Sequence, residues 1–252
     1  MHRLKTSRTT VSRWDVLVLA RAVGGTILGL VLVALVTAAS DEGGLSWPER
    51  AGRALPLSPF CAALGVWGAL GPVKARGEAL ALAALGRTAR QISAAAISGA
   101  LLVCLASCVA IAAIPSVDVA SFYPIASRAA SWQWKDGAFV DPVHGLSMRA
   151  DGALTESSLR TSEPARVAVP ARGRVSAALA TALAGVALAL LSARALLHGR
   201  GRTADGLACA LAAVATVVLF QAAAARRSPA LLAPLPALAL TAFAARRFRQ
   251  LA

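Results

Sequence analysis

The chain has 252 residues, of which 57% are hydrophobic and 15% charged, with a net charge of +14 and a mean hydropathy of +0.65. So apolar a composition excludes an ordinary soluble domain and implies helical spans of about 20 residues that cross a bilayer. The basic residues are scattered between apolar runs rather than gathered into a stripe, which excludes a nucleic-acid-binding surface and makes them topology signals.

Residues 1–21 are polar and basic, carrying Arg3, Lys5, Arg8, Arg13 and Arg21. A helix is expected from near Arg13, and residues 22–39 form the first span. Thr37-Ala38-Ala39-Ser40 has the small residues of a signal-peptide cleavage site, but the long basic region and the charges Asp15 and Arg21 point to an uncleaved span. Arg21 either anchors this span at the headgroups or attracts an anionic lipid headgroup there. Residues 40–54 read as a short loop. The second span, 55–73, has Pro56, Pro59 and Pro72 near its ends, where their missing donors matter least.

The stretch from Gly71 to Gly86 is more than a membrane turn. It holds Lys74, Arg76 and the isolated carboxylate Glu78, then an Ala/Leu segment ending at Gly86, with Arg87 and Arg90 beyond. A surface helix over about 76–90 that docks on a soluble partner is expected. Residues 93–114 form a third, uncharged span.

Residues 115–174 are the sizeable soluble region. Two Asp-Gly pairs, Asp136-Gly137 and Asp151-Gly152, sit between alternating residues, a hairpin signal because such turns need positive φ. Arg166-Val-Ala-Val169 adds a further strand candidate, giving four or five short antiparallel strands. Trp132 and Trp134 share one strand face, as sheet core, surface anchors or part of a ligand groove. Residues 175–193, 206–225 and 231–245 form the last three spans. Basic loops separate them, and Arg246, Arg247 and Arg249 close the chain.

The fold class is therefore an α-helical membrane protein with six transmembrane helices. An N-terminal half (1–114) and a C-terminal half (175–252) of three spans each flank a small antiparallel β insertion (115–174). The N-terminus, the 74–90 and 194–205 loops and the C-terminus together carry 15 Lys/Arg against 3 Asp/Glu, and the opposite side 11 against 9. The positive-inside rule puts both termini and Glu78 in the cytoplasm and the β insertion outside.

Several chemistries are unsupported. No span has an ionisable residue at its centre, as proton-coupled transporters and intramembrane proteases usually require. There is no phosphate-binding loop and no Gly-x-Ser-x-Gly elbow. His144 near Asp141 and Ser147 reads as a loop histidine, and a metal site needs more ligands than Cys104 and Cys108 supply. Cys61, Cys104, Cys108 and Cys209 read as apolar filler. No catalytic, cofactor or metal site is expected, and the chain is not read as an enzyme.

Three patterns resemble the LptF/LptG family, the permease subunits of the lipopolysaccharide-export ABC transporter. Arg13-Trp-Asp-Val-Leu-Val-Leu-Ala-Arg21 followed by Gly29-Leu30 is similar to its opening helix. Leu55-Pro56-Leu57, Gly71 and Glu78 with Gly86 eight residues later resemble its second span and coupling helix. Asp205-Gly206-Leu207 through the proline-rich run from Pro229 to Arg246-Arg247 resembles its last two spans. The resemblance implies a bacterial inner-membrane permease that pairs with a second permease or with itself. It implies an LptB-like ATPase docked on the coupling helix and an amphipathic lipid such as lipopolysaccharide as cargo. Glu78, Gly86, Lys74, Arg76 and Arg87 then meet the ATPase, although Ala83 stands near where the family usually has an arginine.

A full eight-stranded jelly roll needs on the order of 80 residues, so the 60 residues of 115–174 imply a truncated sheet, open to strand addition from a periplasmic β-jellyroll partner. The alternative reading is a non-transporting membrane scaffold whose β insertion recruits an envelope partner.

Overall fold

The computed structural model describes residues 12–40, 46–115, 117, 133–135, 137–141, 146–149, 151–152, 154–156, 171–198, 202–225 and 227–250. The helices are α1 (Arg13–Ala39), α2 (Trp47–Ala54), α3 (Ser58–Ala75), α4 (Glu78–Ala84), α5 (Ala89–Ala113), α6 (Ala171–His198), α7 (Arg202–Ala224) and α8 (Leu235–Arg249), with 3-10 turns at Leu55–Leu57 and Ala230–Leu232. Among the described residues, six helical stretches are long and apolar enough to cross a membrane: Arg13–Ala39, Arg50–Ala75, Ala89–Ala113, Arg172–His198, Thr203–Ala224 and Ala230–Arg249.

Local sequence explains where these helices start. Ser12 caps α1 in a capping box with Asp15, and Thr88 caps α5 in a second one with Gln91, so two orphan N–H donors are satisfied at each start. Between them, α4 is cut off on both sides by left-handed glycines, Gly77 at φ +71° and Gly86 at φ +85°, a conformation that a Cβ disfavours. The helix is therefore seven residues long, not the longer segment expected over 76–90. The stretch read as a loop over 40–54 contains α2, a short charged helix packed on α1. The fourth long helix runs past residue 193 to His198, which puts Arg194 inside α6 rather than in a loop.

The insertion contributes β1 (Gln133–Lys135), β2 (Ala138–Asp141), β3 (Leu146–Arg149) and β4 (Leu154–Glu156). They form an antiparallel meander in chain order. Gly137 (φ +80°) turns β1 into β2, and Gly152 (φ +82°) turns β3 towards β4, its N–H donating to the Arg149 carbonyl at 2.9 Å. Both turns sit where the Asp-Gly pairs put them. Trp134 pairs with Phe139 across the first hairpin, rings 4.7 Å apart, and Phe139 pairs with Met148. Asp136, Trp132, His144 and the 166–169 strand candidate lie outside the described residues.

The core is built by α1, α3, α5 and α6. Helix α6 is central, packing on α3, α5 and α8, while α7 leans mainly on α8. Only 6% of the apolar window of α7 is buried, against 50% for α6. Small residues set the crossings. On α1, Gly25-Thr-Ile-Leu-Gly29 faces Gly65 and Cys61 of α3. A Cβ on Gly65 would lie 2.6 Å from the Ala22 carbonyl and strike the Thr26 hydroxyl. A Cβ on Gly99 of α5 would lie 2.6 Å from the Leu19 carbonyl. Backbones approach this closely only where side chains are absent.

Two arginines tie helix ends together. Arg174, in the first turn of α6, donates to the carbonyls of Ile111 (2.8 Å), Val117 (2.9 Å), Pro115 (3.3 Å) and Ile114 at the end of α5. Arg90 donates to the Arg249 carbonyl at the end of α8, at 2.8 Å. Each places a cation on orphan carbonyls at the negative end of a helix.

The glycine contacts separate two substitutions on one helix. Gly65→Ala has no room and should destabilise the detergent-solubilised chain by about 1–3 kcal/mol through overpacking. Gly68→Ala, with nothing within 4 Å of its added methyl, should be neutral or gain up to about 1 kcal/mol of helix propensity. Thermal unfolding followed by circular dichroism distinguishes them.

Candidate functional site: a polar chain joining α4 to the start of α1

The start of α1, all of α4, the start of α5 and the end of α8 share one end of the bundle, as the contacts of Arg87 with Asp15 and of Arg90 with Arg249 require. Here a run of polar side chains links elements far apart in sequence. Arg87 grips Asp15 with a two-pronged ion pair, Nη1 to Oδ1 at 2.9 Å and Nη2 to Oδ2 at 3.1 Å, and Nη2 lies 3.4 Å from Ser12 Oγ. The same guanidinium stacks over the Trp14 ring, 5.5 Å from its centroid. The Trp14 indole N–H donates to Glu78 Oε2 at 3.3 Å, and Arg76 Nη1 lies 3.2 Å from Glu78 Oε1.

The chain of contacts therefore runs Arg76, Glu78, Trp14, Arg87, Asp15, Ser12. It fastens both ends of α4, through Glu78 at its start and Arg87 just past Gly86, to consecutive residues of α1. The planar guanidinium suits this position, since it can fork onto a carboxylate and stack on an indole at once. The hydrogen bond to Asp15 raises the pKa of Arg87 above its ordinary value.

Once α4 is strapped down, one of its sides faces away from the bundle. Ala79 packs against the core and Leu82 is half-buried. Leu80 and Leu85 are 78% and 81% exposed, and Ala81, Ala83, Ala84 and Gly86 are exposed around them. Lys74 and Arg76 are exposed beside this patch. Of the expected contact residues, Glu78, Arg76 and Arg87 come together in the polar chain, while Lys74 and Gly86 flank it. Glu78 is occupied from within the chain on both carboxylate oxygens. Arg21 lies two turns along α1, exposed on its outer side, about 12 Å from Arg13 at the helical rise. Gly137, Asp151 and Gly152 belong to the turns of the sheet.

Trp14 and Asp15 were not expected at this site, because Asp15 and Arg87 are 72 residues apart. The local signal was the Ser12/Asp15 capping box. A second polar cluster was also missed. Arg194 of α6 and Asp205 of α7, each 7% exposed, form an ion pair, and Arg247 of α8 brings Nε within 3.8 Å of Asp205 Oδ1 while stacking over Phe243. Among the described residues no group of three or more His, Cys, Asp or Glu is gathered that could hold a metal.

Comparison with known protein families, with characterised proteins and with solved structures finds no match for this chain.

If the polar chain holds α4, then Asp15→Asn should speed amide hydrogen exchange severalfold across residues 78–86, remote in sequence from the change. Arg87→Met should do the same, and the double variant should add nothing. Exchange that rises only around residues 12–18 would show that Asp15 serves its own helix and not α4.

Proposed function

We propose that this chain is a permease subunit of an ABC transporter of the LptF/LptG type, with a separate LptB-like ATPase, extracting or exporting lipopolysaccharide or a related amphipathic lipid. The observation that carries this reading is α4. A short helix between the second and third long apolar stretches is fastened at both ends to the first, and turns Leu80 and Leu85 outward beside Lys74 and Arg76. An ATPase groove would take the two leucines as anchors, with the cations on the rim. Glu78 and Arg87 then act by holding α4 in register and passing its movement to α1, rather than as the principal outward contacts.

The distribution of exposed apolar surface supports a paired permease. Helices α1 and α7 have the least buried apolar windows, 22% and 6%. They turn rows such as Leu28, Val31, Leu32 and Leu35, and Leu207, Leu211, Val214 and Val218, away from the bundle. A second subunit of the same kind, or a second copy, would cover them and enclose the lipid path. In this reading the chain sits in a bacterial inner membrane with both termini in the cytoplasm, as the charge distribution favours. The sheet lies in the periplasm, and β1 and β4, which have one neighbour each among the described residues, would be the strands that a β-jellyroll partner adds to.

The chain expressed with an affinity tag in its native host should co-purify an ATPase from solubilised membranes. Leu85→Asp should reduce that recovery by at least tenfold, through loss of a buried anchor. Glu78→Lys should retain part of the ATPase but uncouple its hydrolysis from lipid movement. Full ATPase recovery and transport in both variants would end this reading.

A further inference from the structure

We propose that the crevice between α6 and α7 is a binding site for one anionic membrane phospholipid, with an acyl chain in the crevice and the phosphate at Arg247. The crevice encloses about 410 Å³, within the range of small-ligand sites. It exists because Ala180 and Ala184 of α6 face Ala210 and Ala213 of α7 across a gap that neither helix fills. Helix α7 leans instead on α8 and on the Ala230–Leu232 turn, and the Arg194–Asp205 pair ties its first turn to α6.

The lining selects the chemistry of the occupant. Its two hydroxyls are already used, since Thr181 donates to the Ala177 carbonyl at 2.9 Å and Thr216 to the Ala212 carbonyl at 2.7 Å. The rest of the lining is hydrocarbon apart from the Cys209 thiol. With both hydroxyl protons engaged, such a wall offers water or a polar ligand little beyond the hydroxyl oxygens as acceptors, whereas a methylene chain needs no partner. Phe60 and Val217, 58% and 55% exposed, line the crevice on the outer surface of the bundle, where a bilayer would supply the chain.

Charge at one end fixes the orientation. On α8, Leu240 lines the crevice. Phe243 and Arg247 follow at i+3 and i+7 on the same face, so the Arg247 backbone lies about 10 Å farther along the helix. Arg247 is 31% exposed, stacks on Phe243 and reaches Asp205 by one long contact. Asp205 is already paired with Arg194, so the cluster keeps one positive charge, with Arg246 and Arg249 exposed beside it. A phosphate is the complement of that end, and an acyl chain of the crevice. This site differs from any path enclosed by a second permease, and the proposal needs no ATPase.

The test uses the full chain purified in mild detergent, delipidated and titrated with dioleoyl phosphatidylglycerol or dioleoyl phosphatidylcholine, with bound lipid read by native mass spectrometry. One lipid per chain should be retained, phosphatidylglycerol about fivefold more strongly, the increment expected of one arginine near a phosphate. Ala213→Trp and the milder Thr216→Leu should each lower retention of both lipids. Leu102→Trp, on the exposed side of α5 and away from the crevice, should leave retention unchanged. Arg247→Gln should abolish the preference and keep the weaker retention. Equal retention by the crevice variants and the parent, equal loss in Leu102→Trp, or an undiminished preference in Arg247→Gln would each overturn the proposal. None of these results bears on ATPase recovery, so the site and the transport reading fail separately.

Discussion

The outer faces of this bundle are as apolar as its interior, and that constraint governs how it can be held together. Val16, Leu28, Val36, Leu64, Leu102 and Val109 all point outward, so in a hydrocarbon surrounding there is no gain in hiding leucines from their environment. Cohesion must come from close backbone approach and from polar contacts. The chain meets this demand at Gly25, Gly29, Gly65 and Gly99, where α1 sinks against α3 and α5, and at Gly185, where α6 closes on Cys104. The central place of α6 and the marginal place of α7 follow from the same rule. Helix α7 faces α6 with alanines too large for backbone contact and too small to fill the space, and a crevice results.

Polar contacts are concentrated where helices end. At one end lie the Arg76-to-Ser12 chain, the Arg194–Asp205–Arg247 cluster and the Arg90 cap on α8. At the other lies the Arg174 cap on α5. A buried pair such as Arg194–Asp205 adds little net stability over an apolar replacement, but removing one partner leaves a charge stranded. Its effect is therefore on specificity, because it fixes which turn of α7 faces α6. The Asp15–Arg87 pair is half open to solvent and so contributes less energy than register. It fixes which turn of α1 lies against the end of α4.

The sequence made the long helices and the hairpin turns legible because both are local. Hydropathy over 20 residues identifies a span without knowledge of its neighbours, and Asp151-Gly152 announces a turn through the φ of one glycine. The same reasoning failed where locality fails. Residues 40–54 contain α2 because Trp47 to Ala54 wind against α1, although their charges resemble those of a loop. Arg194 was placed beyond the span because the apolar run ends at Ala193, yet the helix continues through its basic last turn. Glu78 stood out in the sequence as an isolated carboxylate. Its partners Trp14 and Arg76 were not foreseen, and one of them lies 64 residues away. The glycines at 77 and 86 are themselves in the sequence, and read as helix stops they bound α4 more tightly than the apolar pattern does.

The cap that Arg174 places on α5 has a consequence for chain closure rather than for mechanism. By gathering four carbonyls around one guanidinium, it clasps the end of α5 to the first turn of α6 across a sequence separation of 60 residues at Ile114. The entropy of closing such a loop grows only slowly with its length. A clasp of this kind would therefore hold the two helix ends together over intervening segments of quite different length.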